Sequence, residues 1–116
     1  APDADERDAE SMLRFGVEAL EEPGALSLRI GVNKGAVYCG RVGGTSRWTY
    51  STMGDAVNLA ARFEQNAGPG QILVTQATYD QIEPFFEVLS IGTLRVKGRE
   101  GWAPGYSVLR ARGLVE

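Results

Sequence analysis

The sequence predicts a domain of the α/β or α+β class. Segments with helical spacing interrupt strand-like ones along the whole chain, and the strand-like runs are short and apolar. The composition, 43% hydrophobic and 23% charged over 116 residues, suits one globular domain with a real core.

Residues 3–22 carry Ala9, Met12, Leu13, Phe15, Gly16, Ala19 and Leu20 at helical spacing. Asp3 or Asp5 caps that amphipathic helix, and Pro23-Gly24 ends it. Leu26, Leu28, Ile30 and Val32 then alternate strictly, followed by Asn33-Lys34-Gly35 as a turn and a second apolar strand over 36–42, which together read as a β-hairpin. After the loop Gly43-Gly44-Thr45-Ser46, "RWTYST" reads as a short strand. Gly54 or Asp55 opens a helix over 55–66 that Gly68-Pro69-Gly70 terminates. "QILVT" is a short buried strand and "QATYDQI" a short helix ended by Pro84. "FFEVLSIGTLRVKG" and "GYSVL" supply further strands around a tip at 98–101.

Composition excludes several chemistries. There is no histidine and a single cysteine, Cys39, so the chain forms no internal disulfide and lacks the imidazole of Ser-His-Asp and Cys-His sites and of the usual zinc sites. Cys39, inside "AVYCG", reads as a buried structural thiol. Charge is unevenly spread: residues 1–22 hold eight acids against two bases, the remainder ten bases against seven acids. That mildly basic body suits a small anionic ligand, and its excess charge is too small for duplex DNA. Trp48, Tyr50, Trp102 and Tyr106 are too scattered for a single-stranded nucleic-acid platform. With no bilayer-length apolar run and no signal-peptide pattern at the start, the expected location is cytoplasmic.

The helix over 55–66 has two sides. At 100° per residue Asp55, Asn58, Arg62 and Gln65 share one narrow stripe, while Ala56, Leu59, Ala60, Phe63 and Ala67 form an apolar face. Val57 and Ala61 give a third flank of small side chains that invites close approach of another element. A guanidinium one turn after an amide is suited to gripping a phosphate and a ribose during phosphoryl transfer. Asp55 fits the helix start, where a carboxylate meets free amide donors.

Four segments, "RIGVNKGAVYCGRVGG", "YSTMGDAVNLAARFE", "PGQILVT" and "LRVKGREG", resemble, in this order and spacing, the C-terminal part of a class III nucleotidyl cyclase (adenylate/guanylate cyclase) catalytic domain. The likeness runs from about Leu26 to Leu109, and "MGDAVNLAAR" resembles the soluble, often ATPase-fused branch. It implies that residues 1–22 are a helix of the cyclase domain and 23–116 the C-terminal portion of the same domain. The implied fold is a ferredoxin-like sheet of the cyclase type, truncated at its N-terminus.

The resemblance implies roles. Asn58 would orient the ribose and Arg62 would stabilise the pentavalent phosphorus of the transition state. Lys97 would bind the terminal phosphates and Arg29 the polyphosphate. Ser51 matches a purine-reading position where aspartate or threonine is commoner in adenylate cyclases, and the expected preference is ATP over GTP. The implied reaction converts the triphosphate to a 3′,5′-cyclic nucleotide and pyrophosphate.

Such enzymes use two divalent metal ions (Mg or Mn) held by two aspartates on segments upstream of the acidic helix, and neither segment is in this chain. The expectation is therefore a chain that binds nucleoside triphosphate and does not turn over alone. Without the N-terminal strands, residues 26–42 are expected to expose an unpaired edge and to promote swapped self-association. The intact domain is expected to act as a homodimer with its sites at the interface. The alternative is a non-catalytic nucleotide-binding or dimerisation module derived from a cyclase.

Overall fold

The computed structural model describes residues 13, 28–42, 47–51, 54–96 and 101–112. Strands β1 (Leu28–Asn33), β2 (Ala36–Arg41) and β3 (Arg47–Tyr50) are followed by helix α1 (Gly54–Asn66). Strand β4 (Gln71–Thr75), helix α2 (Gln76–Ile82) and the long strands β5 (Phe86–Val96) and β6 (Gly101–Ala111) complete the order. The six strands form one sheet in the order β3-β2-β1-β4-β6-β5. Neighbours are antiparallel except β1 and β4, which run parallel with Ile30 opposite Ile72 and Val32 opposite Val74. The predicted α/β class is the observed one.

Strand alternation divides the core into two layers. Ile30 and Val32 of β1, Val37 of β2, Ile72 and Val74 of β4 and Val108 of β6 point to one face, where Ile82 of α2, Phe86 and Leu13 complete a buried cluster. Leu13 is helical and fully buried, as its place on the apolar stripe of the leading helix predicts; the rest of that helix lies outside the described residues. On the opposite face α1 covers the sheet. Phe63 and Ala67 pack on Leu73 and Val96, and Ala56 and Ala60 pack on Ala36.

Close helix–strand contact depends on two glycines. A Cβ at Gly31 would lie closer than 3.0 Å to the carbonyl of Ala60 and the amide of Glu64, so α1 rests its backbone directly on β1. A Cβ at Gly40 would collide with the Glu64 carboxylate. The face that approaches closely is thus the Ala56–Ala60–Glu64 line, whereas the small-residue flank of Val57 and Ala61 is only partly covered.

A buried polar network joins the hairpin turn to both helices. Asn33 Nδ2 donates to the Ala56 carbonyl at 3.1 Å, and Thr75 Oγ1 donates to Asn33 Oδ1 at 3.1 Å. The Lys34 amide donates to Thr78 Oγ1 at 2.8 Å. Thr75 also caps α2, its hydroxyl accepting from the Thr78 amide. Tyr79 of α2 stacks on Tyr106 of β6 with ring centroids 4.2 Å apart.

The expected unpaired edge over residues 26–42 is not found. β1 lies between β2 and β4, and β2 between β1 and β3, because the crossover through α1 brings β4 back beside β1. Among the described residues the sheet edges are β3 and β5, so the hairpin offers no edge for strand exchange. No helix among the described residues is long and apolar enough to cross a membrane.

Candidate active site

Helix α1 carries two of the expected site residues. Its buried side chains, Ala56, Ala60, Phe63 and Glu64, fix its rotation on the sheet. That rotation leaves Asp55, Asn58 and Gln65 exposed and Arg62 half-buried, so the polar stripe faces away from the core as the spacing predicts. Arg62 Nη1 donates to Gln65 Oε1 at 3.3 Å, a neutral partner. Other arginines have carboxylates: Arg29 with Glu64, Arg110 with Glu87, and Arg112 with Glu83. Among the described residues Arg62 has none, and its charge stays available to an anion.

The C-terminal end of α1 is tied to the long hairpin. Asn66 Nδ2 donates to the Arg62 carbonyl at 2.8 Å and to the Arg95 carbonyl of β5 at 3.4 Å. Lys97, two residues after Arg95, lies outside the described residues. Ser51 follows directly on β3 and is half-buried, three residues before α1 begins. Ser51, Asn58 and Arg62 therefore sit on one continuous strand-to-helix segment.

Arg29 projects from β1 onto the α1 side of the sheet. Its Nε lies 3.2 Å from Oε2 of the buried Glu64. The spacing of Asn58 and Arg62 does not reveal this pairing. Glu64 does continue the four-residue series Ala56, Ala60, Glu64, and that placement marks it as facing the sheet. Cys39 packs against the opposite core layer, where burial pushes its thiol up from the ordinary 9.0, with Glu64 adding to the rise and Arg41 opposing it. Cys39 is half-buried, less enclosed than the buried thiol its apolar context predicts, and it packs as a structural group.

An exposed amide one turn ahead of a guanidinium that has no carboxylate partner among the described residues can orient a hydroxyl-bearing sugar and stabilise charge growing on a phosphorus centre. A family model described as the adenylate and guanylate cyclase catalytic domain matches residues 9–109. The chain belongs to that family.

Relatives of both kinds occur. An adenylate cyclase of Mycobacterium bovis is 39% identical over 72 residues, covering 62% of this chain and 16% of the relative. Soluble guanylate cyclase 89Da of Drosophila melanogaster is 31% identical over 105 residues, covering 85% of this chain and 16% of the relative. Among solved structures, the adenylyl cyclase CyaB from P. aeruginosa is similar at 30% identity and a TM-score of 0.55, over 76% of this chain and 45% of that one. The catalytic core of a rhodopsin-guanylyl cyclase with converted specificity, in complex with ATPalphaS, gives a TM-score of 0.66 at 25% identity, over 90% of this chain and 59% of that one. The chain thus spans about a sixth of the length of these two curated relatives.

Class III cyclases typically use two metal ions. Among the described residues of this chain no three histidine, cysteine, aspartate or glutamate side chains converge as a cation site.

Proposed function

We propose that this chain is the C-terminal part of a class III cyclase domain that converts ATP, in preference to GTP, to its 3′,5′-cyclic nucleotide and pyrophosphate. The observation that carries the reading is the outward stripe of α1 within a cyclase family match: an exposed Asn58 and an Arg62 with no carboxylate partner among the described residues. Asn58 orients the ribose so that its 3′-oxygen faces the α-phosphorus. Arg62 stabilises the negative charge that builds on the phosphorus oxygens as that bond forms and the bond to pyrophosphate breaks. Ser51 meets the purine edge, Arg29 the polyphosphate and Lys97 the terminal phosphates.

The two metals are supplied by segments outside this chain, so turnover requires them and this chain alone binds triphosphate without cyclising it. The working unit is a dimer in the cytoplasm. Nucleotide binding is supported by solved neighbours that include a guanylate cyclase domain from Catenaria anguillulae in complex with GTP and the rhodopsin-guanylyl cyclase core in complex with ATPalphaS. Replacing Arg62 by alanine in the protein that carries this chain tests the reading. The expected result is a fall in kcat of roughly a hundredfold or more, with little change in thermal midpoint. An unchanged kcat would remove Arg62 from the mechanism.

A further inference from the structure

Arg29 is held from behind by a buried carboxylate. Its Nε is almost wholly inaccessible and 3.2 Å from Glu64 Oε2, yet the N–H is not aligned for a hydrogen bond with it. The arginine side chain as a whole is nevertheless 31% exposed, against 5% for Glu64. Nε is thus turned inward, toward Glu64, while other atoms of the same side chain reach solvent. A guanidinium has four N–H groups on its two terminal nitrogens, and these match an anion edge-on.

The carboxylate is itself fixed on three sides. Its backbone amide rests against Gly31 of β1, its oxygens fill the space that a side chain at Gly40 of β2 would take, and Phe63 anchors the same turn in the core. We infer that Glu64 is a positioning residue: it holds the inner edge of the Arg29 guanidinium so that the outer edge is presented to the phosphate chain of a nucleoside triphosphate. This deepens the reading given above and rests on its assignment of Arg29 to the polyphosphate. A buried carboxylate also makes the site discriminating, because it repels an anion unless the guanidinium stands between them.

The test measures binding of ATP and of inorganic tripolyphosphate by calorimetry, and kcat and KM for ATP, in the protein that carries this chain. Glu64→Gln, Glu64→Asp, Arg29→Ala and the Arg29→Ala/Glu64→Gln pair are compared with the parent. Glu64→Gln is expected to weaken both ligands about tenfold and to raise KM more than it lowers kcat. Glu64→Asp should recover part of the loss. In the Arg29→Ala background, where affinity is already low, Glu64→Gln should have no further effect, since the two residues act as a unit. Gly40→Ala displaces the carboxylate without removing its charge and should reproduce the Glu64→Gln loss in tripolyphosphate affinity.

Equal losses from Glu64→Gln with and without Arg29 would overturn the inference, because Glu64 would then act on the fold and not through Arg29. If Arg29→Ala leaves tripolyphosphate affinity unchanged while Arg62→Ala still abolishes turnover, this inference fails and the cyclase reading stands. Loss of both effects sinks the two together.

Discussion

Single side chains divide here by whether a carboxylate faces them. Among the described residues Arg62 has the neutral Gln65 amide beside it and no carboxylate, which suits the charge-stabilising role proposed for it. On the proposed function, Ser51 meets the purine edge and is the residue to alter for base choice. An aspartate there would accept from the exocyclic amine of adenine and repel the carbonyl oxygen of guanine, so Ser51→Asp should raise the ATP-to-GTP ratio of kcat/KM several-fold. An unchanged or lowered ratio would move base reading elsewhere. For Cys39 the sign follows from its raised pKa. The folded state binds the thiol proton more tightly than the unfolded chain, so the contribution is complete below the unfolded value near 9.0 and is lost as pH rises through the folded value. Alkylation of native protein at pH 8 should accordingly be much slower than that of denatured protein, and equal rates would contradict the burial.

The sequence showed Asn58 and Arg62 because a polar stripe opposite an apolar one is a periodic signal. Glu64 was harder to read. A carboxylate on the sheet-facing line breaks the apolar pattern, and only the pairing with Arg29, 35 positions away in the chain, explains why it is there. Lys97 lies outside the described residues, and its role stays part of the proposal.

At the level of elements, α1 is the piece on which the site depends. Its contact with β1 is backbone on backbone at Gly31, which leaves no flexible atom to give way. Gly31→Ala should therefore cost at least about 3 kcal/mol or prevent folding, whereas an exposed alanine substitution costs little. Chemical denaturation checks this, and a loss below about 1 kcal/mol would show that the helix can lift off. Phe63→Ala removes the largest fully buried side chain of the helix and should cost about 3–5 kcal/mol. Helix periodicity and the Gly68-Pro69-Gly70 stop placed α1 correctly, and "QATYDQI" became α2 over the same seven residues, Gln76–Ile82. Both helices are legible because caps and stops are local. The partner of β1 is not local. Alternation identifies a strand but says nothing of which strand lies beside it, and so the parallel β1–β4 pairing overturned the expected free edge.

Across the described residues, one sheet is covered on both faces, with α1 on the side that carries Arg29, and with Leu13 and α2 on the other. Because β1 is internal, the chain should not exchange its hairpin between copies: residues 28–41 should show slow amide exchange at every concentration. Exchange that slows only as the protein is concentrated would point to swapping. No metal-binding cluster occurs among the described residues, and on the proposed function triphosphate binding and turnover separate. The direct measurement is cyclic nucleotide formation from ATP and from GTP with magnesium or manganese, comparing this chain with the same chain extended upstream to include the metal-binding segments. Triphosphate binding by both and cyclisation by the extended chain alone, faster with ATP, is the predicted result. Absence of cyclisation in the extended chain would contradict the account and leave a nucleotide-binding or dimerisation module in its place.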